Sequence, residues 1–175
     1  MHTVDVEAIH AARETLREQI ATAHRRGFQQ LYDAMASNEA FQPAAGPAGR
    51  RSLRNLALAY LAKADEAAAP ALLMAHFNNA DNMSDTVAAL AQLCARNCAE
   101  RDTALARFHD RWKDNAQVVD KWLALQATAP REDTLMQVKS LLDHPVFTLR
   151  NPNKVRALIG AFCVGNGLRF HAADG

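Results

Sequence analysis

Cys94 and Cys98 stand four residues apart, the spacing that sets two thiols on one helix face and could begin a metal site. They also continue the apolar series Val87, Leu90 and Ala91. Both, and Cys163 behind Phe162, are therefore expected to be small core residues rather than ligands. None of the seven histidines is followed by Glu, so the His-Glu-x-x-His arrangement of a zinc hydrolase is missing. No phosphate-binding glycine loop, nucleophile elbow or dinucleotide fingerprint is present either. Trp112 and Trp122 fall at helical core spacing and read as packing anchors, while His109 and His144 lie near helix ends with no role required of them. Residue types alone give this chain no catalytic apparatus, no metal site and no cofactor.

One cluster is less ordinary. Arg150, Lys154 and Arg156 bracket Asn151, Pro152 and Asn153 where a helix is expected to start. Helix N-termini carry partial positive charge and attract Asp or Glu, so three cations there run against the macrodipole. Cations together with free backbone N–H groups suit an anion such as a carboxylate. The competing reading is an exposed turn in which Pro152 is pre-set for the first helical turn, with acidic groups from other helices neutralising the charges. Lys154 and Arg156 are two apart and do not share a face.

The elements that must position this cluster are helical. The chain holds 36 Ala and 19 Leu against 20 Val, Ile and Thr together, the balance of an all-α protein. Apolar or small residues at Ile9, Leu16, Ile20, Ala23, Gly27 and Leu31 predict one long helix or a helix pair over 1–36, with Gly27 as a close contact or a break. Pro43, Gly46 and Pro47 predict a loop over 37–50. Beyond it, helices are expected from about 52 (Leu53, Leu56, Tyr60 and Leu61 inward), 65, 84 (capped by Ser84), 101, 117, 132 and 153. The last should turn Val155, Leu158, Ile159 and Phe162 inward and end at Gly165 and Gly167. Every second start is spaced by roughly 32–36 residues, the repeat length of paired helices in an α-solenoid. The expected architecture is one domain over 1–175 of stacked antiparallel helical hairpins, superhelical and HEAT/armadillo-like, the hairpins filling 51–175.

Net charge is +1 with pI near 7.8, so no broad basic field exists to hold nucleic acid or an anionic membrane. No apolar run approaches the roughly 20 residues of a spanning helix, and the first residues lack a signal-peptide pattern. Three cysteines imply no disulfide framework. A cytoplasmic location is expected.

The stretch His144-Pro-Val-Phe-Thr-Leu-Arg-Asn-Pro-Asn-Lys-Val-Arg-Ala-Leu-Ile-Gly-Ala-Phe162, with Phe170-His-Ala-Ala-Asp-Gly175, resembles the C-terminal region of the bacterial aminopeptidase N family, zinc metallo-aminopeptidases. So do Asn82-Met-Ser-Asp-Thr-Val-Ala-Ala-Leu90, Asp120-Lys-Trp-Leu-Ala-Leu-Gln-Ala127 and Arg51-Ser-Leu-Arg-Asn55, in the family's order along the whole chain. The resemblance implies a superhelical domain that walls or caps an active-site cavity, with the zinc motif, the amino-terminus-binding motif and the transition-state tyrosine all upstream. It implies an internal piece of that C-terminal domain, not catalytic by itself, with zinc only in the intact enzyme. Its partners would be the upstream catalytic and β-sandwich domains and the peptide substrates. Arg156 matches an arginine that looks, in the family, to face the cavity; Lys154 stands where relatives often carry Arg. Removal of the family's last helices would expose Leu158, Ile159 and Phe162 and promote self-association. The rival reading is a free-standing helical-repeat module that grips a protein partner.

Overall fold

The computed structural model describes residues 4–172. Its regular elements are α1 Val6–Ala23, α2 Arg25–Ala34, α3 Ala45–Ala64, α4 Ala69–Asn79, α5 Met83–Cys94, α6 Ala99–Trp112, α7 Ala116–Ala127, α8 Thr134–Leu142, α9 Pro152–Val155, a π-helical segment Arg156–Gly160, α10 Ala161–Gly165 and α11 Gly167–Phe170. The all-α expectation holds, and the described residues contain no strand. None of these helices is long and apolar enough to cross a membrane. Contacts divide the chain into two compact units, one of residues 11–93 and one of 4–10 with 94–172 among those described.

Within residues 11–93, the first helical segment breaks at His24 and not at Gly27. A Cβ built on Gly27 would meet nothing within 4 Å, so no close helix contact demands that glycine. The break lays α2 antiparallel on α3. Arg25 Nη2 donates to Asp65 Oδ2 at 2.7 Å at one end, the Phe28 and Tyr60 rings stack at 4.4 Å, and the Arg54 guanidinium lies 4.7 Å over the Tyr32 ring at the other. The loop is shorter than 37–50 because α3 already starts at Ala45; Pro47 falls in the first turn, where a helix leaves its N–H groups unpaired anyway. Asn82, not Ser84, caps α5, its Oδ1 accepting from the Asp85 amide at 3.0 Å.

The buried stripe of α3 is Ala57, Leu58, Leu61 and Ala62, whereas Leu53 and Leu56 are exposed, against expectation. Sequence pattern weighs residues by hydrophobicity, but here the inner face is chosen by fit. Ala57, Ala62, Ala69 and Ala89 are sealed from solvent, the small side chains that permit close helix approach, and Leu58, Leu73 and Leu90 fill the space between. Ile9 and Leu16 of α1 are exposed as well.

His76 of α4 is buried, its Nδ1 sharing a 2.8 Å hydrogen bond with the Tyr32 hydroxyl. Burial first, then the Arg54 charge, holds its imidazole below the usual value of 6.5. The unfolded chain therefore binds this proton more readily than the folded one. Stability is complete above about pH 6.5 and falls as pH drops below it, by up to about 1.4 kcal/mol per pH unit for one such group. Urea midpoints measured from pH 7.5 to 5 should show this slope, and His76→Gln should flatten it.

In the other unit, Cys94 closes α5 and Cys98 is the N-cap residue of α6, so a turn separates them and they share no helix face. Only Cys94 is a core residue, its thiol pushed up to about 12 by burial; Cys98 is half-buried and Cys163 is exposed. The core assignment of Cys98 and Cys163 is thus corrected. Helix α5 can stop at Cys94 because Arg131 Nη1 donates to the Cys94 carbonyl oxygen at 3.1 Å.

α7 is the centre of this unit. Val118, Val119, Trp122, Leu123 and Ala127 are buried against Ala104 and Phe108 of α6, Val138 and Leu141 of α8, and Leu158 and Phe162 of the final helical run. Trp122 is the packing anchor the spacing predicts, and its Nε1 donates to the Leu105 carbonyl at 3.1 Å. His109 and His144 meet it, with ring centroids 4.8 and 5.3 Å from the indole. Leu158 and Phe162 are buried, so the apolar face expected at Leu158, Ile159 and Phe162 is not exposed there. The exposed apolar side chains of this region are instead Leu149, Val164 and Phe170.

Candidate functional site at residues 150–156

The segment between α8 and α9 turns on local hydrogen bonds. The Arg150 amide donates to Thr148 Oγ1 at 3.3 Å, and Asn151 Oδ1 accepts from the Asn153 amide at 3.0 Å as the cap of α9. Pro152 occupies the start of that helix, where its missing N–H costs nothing. The helical run then continues from Pro152 to Gly165 through the π-helical turn at Arg156–Gly160. Such turns widen a helix by one residue and recur at functional sites.

The three cations do not converge. Lys154 is buried, and its Nζ donates to Asp120 Oδ1 at 2.7 Å and to the Ala116 carbonyl at 3.1 Å, both on α7. Its charge is matched inside the protein and clamps α9 to α7. Arg150 and Arg156 are exposed. Arg156 Nη1 makes one long hydrogen bond of 3.4 Å to Asn153 Oδ1, which leaves most of its fork toward solvent. Neither arginine forms an ion pair among the described residues. The segment thus combines one structural cation with two outward guanidiniums held beside a capped helix start.

Sequence reasoning did not find Asp120. The signal was there: a single carboxylate in the α7 stretch Val118-Val119-Asp120-Lys121-Trp122-Leu123, otherwise mostly apolar, asks for an internal partner. Among the described residues, no group of three His, Cys, Asp or Glu side chains is placed to hold a metal ion.

Three curated relatives match nearly the whole chain and are named aminopeptidase N: those of Haemophilus influenzae (38% identical over 99% of this chain), Escherichia coli (38% over 98%) and Caulobacter vibrioides (39% over 98%). In each case the chain spans 20% of the relative's length. Among solved structures, Legionella pneumophila aminopeptidase A in complex with aspartic acid is similar with a TM-score of 0.82 and 31% identity, covering 93% of this chain and 20% of that one. The family resemblance carried by Arg51–Asn55, Asn82–Leu90, Asp120–Ala127 and His144–Phe162 thus extends over the whole sequence. Residues 1–175 also match one family model from end to end. The chain belongs to the DUF3458_C family, a domain of unknown function described as ARM repeats, and corresponds to one fifth of an aminopeptidase N.

Proposed function

We propose that this chain is the helical-repeat wall of a zinc aminopeptidase that removes N-terminal amino acids from peptides. In this reading it caps the cavity of the longer enzyme without catalysing the reaction itself. The similarity of nearly the whole chain to one fifth of each aminopeptidase N supports the reading more than any other observation. Zinc and the residues that activate water would then lie in the upstream catalytic and β-sandwich domains of the same polypeptide, in a cytoplasmic enzyme.

Within that function, Arg156, assisted by Arg150, meets the carboxyl side of a bound peptide, while Asn151 and Asn153 shape the turn that presents them. The support is their exposure beside Lys154, whose own charge is consumed by Asp120. An arginine lost from a substrate carboxylate removes a charge-assisted hydrogen bond, about 1.5–3 kcal/mol, or roughly tenfold or more in kcat/KM. In the full-length enzyme, Arg156→Ala should show this loss on peptides with a free carboxylate, and high salt should reduce it. Peptide amides should be hydrolysed equally by both forms. Unchanged kcat/KM across substrate lengths and salt would remove Arg156 from the substrate path.

A further inference from the structure

A second group of arginines lies in the unit of residues 11–93, in and beside the stretch Arg51–Asn55. Arg50, Arg51 and Arg54 of α3 line one solvent-connected cleft, closed on its other sides by the segment before α3 and the α4–α5 turn. Asp81 and Asp85 line the same cleft. Opposite charges this close normally pair. Here the carboxylates are taken by amides instead: Asp85 accepts from Asn55 Nδ2 at 2.8 Å and Asn82 Nδ2 at 2.9 Å, and Asp81 accepts from Asn82 Nδ2 at 2.8 Å. Among the described residues, none of the three guanidiniums forms an ion pair.

They are nonetheless held in place. Arg51 lies 4.7 Å from the Phe41 ring centroid and donates from Nη1 to the Gln42 carbonyl at 3.1 Å; Arg54 lies 4.7 Å over Tyr32. The Nε atoms of both are sealed from solvent without a hydrogen-bond partner. Stacking on aromatic faces fixes a guanidinium's plane and makes it a weaker target for water. Arg54 also hydrogen-bonds the Tyr32 side chain, so the donors that face the cleft are the other nitrogens at the tips of Arg51 and Arg54, with Arg50 at the rim.

We infer that this cleft binds a carboxylate, seated end-on across the tips of Arg51 and Arg54. The planar, two-oxygen geometry of a carboxylate matches the guanidinium fork. Equal numbers of acidic and basic side chains at the site (Glu39, Asp81 and Asp85 against the three arginines) disfavour a multiply charged anion, so the ligand carries one carboxylate. Two sources share this chemistry: a small free acid and a peptide C-terminus.

The test uses the full 175-residue chain and the side-chain Nε–H signals of Arg51 and Arg54 by nuclear magnetic resonance, which sealing from solvent makes slow to exchange. Acetate, N-acetyl-Ala-Ala and its carboxamide are titrated in turn. A carboxylate should shift both signals saturably and bind at least about tenfold tighter than the amide, the worth of one charge-assisted pair. Arg54→Gln and Arg51→Gln should each weaken it by about tenfold, and Arg54→Lys should recover part of the loss. Acetate alone matching N-acetyl-Ala-Ala assigns the small acid as ligand, and a clear preference for N-acetyl-Ala-Ala assigns the peptide end. Titration of the native chain needs no variant to fold. Acid and amide moving the signals equally, no saturation by either acid, or unchanged binding by the Gln variants would overturn the inference.

Discussion

Replacing Lys154 with Ala is expected to lower the unfolding free energy by about 3–5 kcal/mol, the cost of breaking a buried pair by deleting one partner. The value should fall near the low end, because the Asp120 side chain is 24% exposed against 8% for Lys154. Two acceptors lose their donor at once, Asp120 Oδ1 and the Ala116 carbonyl. The second sits in the first turn of α7, so the change loosens the contact between α7 and α9. Asp120→Ala should be costly for the converse reason, a stranded ammonium. Coupling is the diagnostic. With both partners gone no charge is stranded, so the double variant should cost less than the two singles added, with an interaction term of about 0.5–3 kcal/mol. Urea denaturation of the four proteins measures it, and additive losses would show that the pair contributes nothing. Arg156 is two residues beyond Lys154, so the same variant also tests whether this clamp positions the outward arginines.

Asn166 should be nearly as sensitive, and its response should separate donors from size. Its buried Nδ2 donates to the carbonyls of Ala127 at 3.0 Å and Ala129 at 2.7 Å, where α7 runs out of helical partners. Its Oδ1 accepts from the Arg169 amide at the start of α11. One side chain therefore ends one helix and begins another. Asn166→Ala strands the Ala127 carbonyl, while the Ala129 carbonyl keeps the Thr134 hydroxyl at 2.9 Å, so a loss of about 1–3 kcal/mol is expected. Asn166→Asp keeps the size but sets a carboxylate against two carbonyl oxygens, and should be worse at neutral pH and recover partly in acid. Amide exchange over α11 should accelerate in both. If Asp were tolerated as well as Asn, the donor role assigned to Nδ2 would be wrong.

These two residues show where sequence legibility stopped. Asn166 lies between Gly165 and Gly167, and the glycines look like a helix terminus by composition. The structure ends the helix there, with Asn166 turned inward rather than a glycine in a left-handed conformation. Gly165 serves by size, since a Cβ there would come within 3.0 Å of the Thr128 methyl. Lys154 belonged by sequence to a cation cluster. Only the fold reveals that 34 residues earlier Asp120 waits on the facing helix. The unpaired arginines at 50, 51 and 54 were equally silent, because their meaning depends on which carboxylates the amides of Asn55 and Asn82 have already satisfied.

The chain's composition and its apolar spacing fixed helix as the only regular structure, because Ala and Leu dominate and strand formers are scarce. Its separated motifs identified the family, since each carries residue order that folding does not alter. Tertiary structure decided the rest: which face of α3 turns inward, where the first helix breaks, which cysteine is buried, and which cations are free. Those outcomes depend on pairwise fit and on partners tens of residues away, quantities that local periodicity does not contain.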